Sequence, residues 1–159
     1  MSEILKSSVA TPIGPFSFAV KDGKVIESTF GSTAKLKSRG RKVESIPKIT
    51  ALVRSYFRGD LRALDRIPVE VDASPFRKRV LLKMRGIKVG SVMSYRDLAR
   101  LSGSHGAARA VGSTCATNRI PLIIPCHRVV TSDGSIGNYG YGMKKKSWLL
   151  EFEGAIERS

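Results

Sequence analysis

The chain has 159 residues, 42% of them hydrophobic, and its 28 lysines and arginines against 13 aspartates and glutamates give a formal net charge of +15. That is enough for one good core or two small lobes, and the cation excess is the footprint of a protein that meets a polyanion, nucleic acid first of all. No apolar run is long enough to span a membrane, and Met1-Ser2-Glu3-Ile4-Leu5-Lys6 lacks the basic-then-apolar order of a signal peptide, so a soluble intracellular protein is expected.

Thr11-Pro12-Ile13-Gly14-Pro15 is a breaker-rich entry. Residues 16–20 and 24–30 then alternate around Asp22-Gly23, which predicts a β-hairpin. Residues 32–42 carry Lys35, Lys37, Arg39, Arg41 and Lys42 with almost nothing to bury. They read most simply as an exposed loop, with phosphate contact the lesser alternative. Ile49, Leu52, Val53, Tyr56 and Phe57 recur at helical spacing between Pro47 and Gly59, and residues 64–71 read as a short return strand.

Ser74-Pro75 opens a second helix, with serine as cap and proline in the first turn, and Phe76, Val80, Leu81 and Met84 on its apolar face. A lobe boundary just before it divides the chain into 1–73 and 74–159. Ser94 caps another short helix that starts at Tyr95, carries Asp97 in its first turn and breaks at Ser102-Gly103-Ser104. A third, residues 106–113, is built from Gly106, Ala107, Ala108, Ala110, Gly112 and Ser113, with Arg109 its one long side chain. Helix, glycine-containing turn, helix is the arrangement that enters DNA grooves. The small residues equally fit a tight helix pair, and Tyr95 equally fits a half-buried aromatic with a wet hydroxyl.

Ile123-Ile124-Pro125-Cys126-His127-Arg128-Val129-Val130 places a cysteine at the edge of a core, beside a histidine and an arginine. A free thiol titrates at about 8.5, and cationic neighbours move it towards the nucleophilic thiolate. Pro125 predicts a rigid turn for Cys126 rather than a helix interior. The plainer alternative is a small buried hydrophobe. Two cysteines with no Cys-x-x-Cys, and two histidines, support neither a disulfide framework nor a zinc site. Val129-Val130-Thr131 reads as a strand, residues 132–135 as a tight turn, and Gly137-Asn138-Tyr139-Gly140-Tyr141-Gly142 as a loop able to wall a pocket. Residues 144–153 read as a helix that buries Trp148, Leu149 and Phe152, leaves Lys144, Lys145 and Lys146 solvated, and closes at Glu153.

Pro125-Cys126-His127-Arg128-Val129 with Asn118 upstream, Gly137-Asn138-Tyr139 downstream and residues 148–154 at the end resembles the O6-alkylguanine-DNA alkyltransferases, also called methylated-DNA protein-cysteine methyltransferases. Ser94-Tyr95 and residues 107–112 extend the likeness, which covers residues 74–154 and only the general layout before them. The resemblance implies an α/β fold: a small N-terminal α/β lobe, a hairpin-containing sheet plus helix, then a mainly helical, winged-helix-like domain with a helix-turn-helix. It also implies a single-turnover DNA repair enzyme that moves a methyl or larger alkyl group from O6 of guanine to its own Cys126, with O4 of thymine left open. In that reading His127 activates Cys126 through a water, Glu153 orients His127, Tyr95 donates to N3 of the base and Asn118 holds the turn. Arg109 fills the gap in the duplex while Ser94, Tyr95, Ala107, Ala108, Ala110 and Gly112 meet the minor groove, and Val129, Tyr139, Gly140 and Tyr141 form the pocket.

The implied partner is double-stranded DNA with the damaged base flipped out; no membrane, cofactor or metal is expected, and some relatives' N-terminal zinc has no ligands here. A monomer in the cytoplasm is expected, with the nucleoid or, in a eukaryote, the nucleus as the working place. Tyr141 stands where several relatives carry a smaller residue, which implies a narrower pocket that disfavours large adducts. Gly140 stands where serine is frequent, and Cys115 reads as a packing residue. A lesion-binding protein without an acceptor, a winged-helix regulator and a cysteine hydrolase are the competing classes; Cys126 argues against the first, and the regulator needs no nucleophile.

Overall fold

The computed structural model of the chain describes residues 2–103 and 106–157, so Ser104 of the expected turn lies outside the described residues. Two units form: Met1–Val71 with Arg119–Ile123, and Asp72–Asn118 with Ile124–Ser159. A single boundary before Ser74 does not contain the return of Arg119–Ile123 to the first unit.

The first unit opens with β1 (Ile4–Thr11), a strand that the residue pattern does not announce. Its buried positions include Ser7 beside Val9, and Ser7 satisfies its hydroxyl by donating to the Glu44 carbonyl at 2.9 Å. A serine on the inward face erases the alternation that marks a strand. The expected hairpin follows as β2 (Gly14–Lys21) and β3 (Lys24–Phe30). Asp22 and Gly23 between them have φ of 52° and 77°, the pair of left-handed residues that matches the twist of paired strands. With β4 (Arg41–Lys42), which runs parallel to β1, the sheet order is β3-β2-β1-β4. Helix α1 (Pro47–Phe57) lays Ile49, Val53 and Tyr56 on β1, as its spacing predicts.

The return strand expected over residues 64–71 does not form. Ala63–Arg66 is a 3-10 turn, and only Val69 bridges to Val25. Pro68 has no N–H for a ladder, although its carbonyl accepts from Val25 N at 2.9 Å. The unit is completed from far along the chain: Ser28 N donates to the Arg119 carbonyl and Ser28 Oγ to that of Pro121, both at 2.9 Å.

The second unit starts at α2 (Pro75–Arg85). Ser74 gives α2 its carbonyl but no side-chain cap. Packing compensates, since burying Val80, Leu81 and Met84 contributes about 1.5–3 kcal/mol each against the ~1 kcal/mol of a cap. The Ser94 cap of α3 (Tyr95–Leu101) is present, its Oγ accepting from Asp97 N at 3.0 Å. Helix α4 runs Ala108–Ala116, shifted from the expected 106–113 because Gly106, at φ 77°, is not helical. Two short strands, β5 (Met93–Ser94) and β6 (Val129–Val130), pair in parallel. They tie the residue before Tyr95 to the residues just after Cys126. Helix α5 (Met143–Phe152) closes the unit on buried Leu149 and Leu150, while half-buried Trp148 and Phe152 stack on each other at 4.8 Å.

Candidate active site

Cys126 sits on a backbone shape that its proline dictates. Pro125 has φ −81° and ψ 69°, and Cys126 N donates back to the Ile124 carbonyl at 2.8 Å, which closes an inverse γ-turn. One 3-10 turn, Cys126–Arg128, follows and hands the chain to β6. Asn118 Nδ2 donates to the same Ile124 carbonyl at 2.9 Å and its side chain also bonds the Cys126 thiol, so one amide holds both the turn and the sulfur.

Behind the cysteine the side chains are fully enclosed. His127 is 0% exposed, and its Nε2 lies 2.9 Å from Glu153 Oε2. Glu153, the residue that caps α5, also accepts from Arg128 Nε at 2.8 Å and Nη2 at 2.9 Å, while Arg128 Nη1 donates to the Ile87 carbonyl at 2.7 Å. Burial would raise the Glu153 carboxyl, but His127 and Arg128 outweigh it and hold it at about 2. Glu153 is therefore a carboxylate and only accepts, so His127 Nε2 carries the hydrogen. Burial, helped by Arg128 and Lys146, keeps His127 below the ordinary imidazole range against the pull of Glu153, so the ring is neutral. Its Nδ1 is then a bare lone pair, buried and without a hydrogen-bond partner among the described residues.

A cleft of about 810 Å³ opens in front of the sulfur. Cys126, Tyr95, Ala108, Arg109, Gly112, Tyr139 and Gly140 line it, together with Cys115 and Asn138. Ser94 caps α3, while Ala107, at the start of α4, and exposed Ala110 lie away from the lining. Two expected pocket residues are also elsewhere. Val129 is buried in β6 with its carbonyl accepting from Lys146 Nζ, and Tyr141, outside the cleft lining, packs its ring edge-on to Tyr139 at 5.6 Å. Cys115, expected in the packing, is a second thiol on the cleft wall; burial pushes it up to about 12, so it stays protonated. Burial likewise pushes Tyr95 up to about 12, which keeps its O–H as a donor.

Lys146, expected in solvent, is completely buried by the fold. Its Nζ donates to the carbonyls of Val129 at 2.7 Å and Asn138 at 3.1 Å and stands 6.0 Å from the Tyr95 ring centre. Burial brings it down to about 8, and the remaining charge opposes the rise that burial imposes on Cys126. The signal was present: residues 146, 149, 150 and 153 fall at i, i+3, i+4 and i+7, one face of α5, masked by the neighbouring lysines. Arg128 had no comparable signal, since only the fold reveals what its guanidinium meets. Among the described residues no group of three His, Cys, Asp or Glu side chains is placed to hold a metal, and no helix is long and apolar enough to cross a membrane.

Residues 75–155 match the family described as 6-O-methylguanine DNA methyltransferase, DNA binding domain. The methylated-DNA–protein-cysteine methyltransferase of Shigella flexneri is 34% identical over 98% of this chain and 99% of its own. The crystal structure of Mycobacterium tuberculosis O6-methylguanine methyltransferase superposes with a TM-score of 0.80 at 25% identity, covering 98% of this chain and 96% of that one. The Mycobacterium tuberculosis OGT in complex with DNA does so with a TM-score of 0.80 at 28% identity, covering 95% and 93%. With a thiol at the foot of a cleft and relatives of this kind along its whole length, the chain belongs to the 6-O-methylguanine DNA methyltransferase family.

Proposed function

We propose that Cys126 is the acceptor in direct reversal of DNA alkylation, and that the second unit both binds the duplex and carries out the transfer. The chain is a methylated-DNA–protein-cysteine methyltransferase that repairs alkylated DNA in place. The observation that carries the assignment of residues is the buried Nδ1 lone pair of His127 next to a cysteine that lines a cleft. A neutral imidazole oriented by a carboxylate through its other nitrogen is ready to take a proton, directly or through one water.

The steps balance. The Cys126 thiol gives its proton to His127, and Glu153 and Arg128 stabilise the imidazolium that results. The thiolate attacks the alkyl carbon on O6 of guanine; the sulfur–carbon bond forms and the carbon–oxygen bond breaks. Guanine leaves as an anion, with the Tyr95 hydroxyl donating to N3. The thioether does not reverse, so one molecule repairs one lesion. A base in a duplex does not reach a sulfur behind a cleft wall, so the nucleotide is flipped at a cost of a few kcal/mol. Helix α4 lies in the minor groove with Arg109 in the vacated stack. The protein acts as a monomer in the compartment that holds the DNA.

Intact-mass measurement tests the reading. Mixed with duplex DNA containing O6-methylguanine, the protein gains one methyl group per molecule and stops at one equivalent, and Cys126→Ala binds the DNA but gains nothing. An unchanged wild-type mass would leave a DNA-binding regulator as the better description, and continued turnover a hydrolase.

A further inference from the structure

The basic run at residues 35–42 has no part in the alkyl-transfer site, all of whose residues lie in the second unit. In the first unit it is built rather than loose. Glu27, a buried residue of β3, accepts from the backbone N–H groups of Lys37 and Ser38 at 2.8 Å each and from the Ser38 hydroxyl at 2.6 Å. Leu36 is 7% exposed and anchors the loop in the core. Gly40 runs so close to β1 that a Cβ there would meet the Ile4 carbonyl oxygen at 2.5 Å. From this pinned backbone Lys35, Lys37, Arg39 and Lys42 extend into solvent, and among the described residues none has a carboxylate partner. Arg41 alone is paired, with Glu3 at 2.6 Å.

Cations held close together on a fixed backbone repel one another, and a partner of opposite charge relieves that repulsion. The segment 32–42 contains no aromatic residue, so it offers no platform for unpaired bases. Bare cations suit phosphates, which set affinity and position without reading sequence. We propose that this loop is a second DNA-contact surface, through which the first unit holds the phosphate backbone of duplex DNA. The proposal rests on DNA as the substrate and not on Cys126 as acceptor.

The test compares full-length wild type with Lys35→Gln/Lys37→Gln/Arg39→Gln and with a control of equal charge loss elsewhere in the first unit, Lys48→Gln/Arg58→Gln/Arg62→Gln. Affinity for an unmodified duplex is read by fluorescence anisotropy across a series of salt concentrations. Alkyl uptake from O6-benzylguanine supplied as the free base is read by intact mass, which needs no DNA. The loop variant is expected to bind more weakly and to show a salt slope shallower by roughly 0.9 for each phosphate it no longer neutralises, with the control keeping the wild-type slope and all three proteins taking up the benzyl group. A loop variant with the wild-type slope overturns the proposal, and so does an equal flattening in both variants, which would mean diffuse attraction. Failure of uptake in all three counts against the acceptor assignment alone, and the slopes still decide the loop.

Discussion

A carboxylate shared between a neutral histidine and a buried arginine makes the stability of this protein depend on one side chain, Glu153. Glu153 titrates at about 2 in the fold against an ordinary 4.5, so it binds fewer protons folded than unfolded. Its contribution is complete above about pH 4.5 and is lost as pH falls towards 2. Glu153→Gln leaves the Arg128 charge buried without its counter-ion and is expected to cost about 3–5 kcal/mol at pH 7. Urea midpoints taken at neutral pH and again near the acid end check this, because the gap between wild type and variant should narrow on acidification; a constant gap would refute it. Lys146 acts on the sulfur instead. Lys146→Met removes the cation that opposes the burial of Cys126, so the pH profile of thiol alkylation by iodoacetamide should move to higher pH. An unmoved profile would assign Lys146 to holding the Val129 and Asn138 carbonyls and nothing more. His127→Phe should slow methyl transfer at pH 7 by about 100-fold or more, read by quenched time points on lesion-bearing duplex.

Among the elements, α3 is the one whose start matters most, because Tyr95 is its first residue and the β5–β6 pair fixes that start next to the cysteine turn. Ser94→Ala removes the acceptor for Asp97 N and should lower stability by ~1 kcal/mol in urea denaturation, with a slower transfer rate; a stability unchanged within error would mean the cap adds nothing here. The sequence was informative where local rules act alone. The Asp22-Gly23 hairpin, helix α1 after Pro47 and the Ser94 cap each depend on a few adjacent residues, and all three form. It was silent where a distant partner changes the meaning of a residue. Ser7 looks polar until the Glu44 carbonyl is beside it, and Lys146 looks solvated until two carbonyls hold it. Around the cysteine turn, likeness to a known family singles out Asn118, Cys126, His127 and Glu153, and the fold brings Asn118 to Cys126 and His127 to Glu153. The bulk of Tyr141 does not say which way its ring turns, and in the fold it packs edge-on to Tyr139.

On the scale of the whole molecule, the charge of +15 is divided between a second unit whose cleft Cys126 lines and a first unit with its own cationic loop. The path of the chain is the less expected feature. Just past Asn118 it leaves the second unit, gives five residues to the first, and comes back at Ile124 one step before the proline of the cysteine turn. Ile120, Leu122 and Ile123 in that excursion are all buried. A fragment spanning residues 72–159 would keep those three apolar side chains while losing the rest of the unit they cluster with, and newly exposed hydrocarbon drives self-association. It should elute as soluble aggregate and light up a dye such as ANS, and a monodisperse, dye-silent fragment would show the opposite. A cut at Ser74 therefore yields neither unit's full inventory, because the five residues that lead into the cysteine turn belong with residues 1–71.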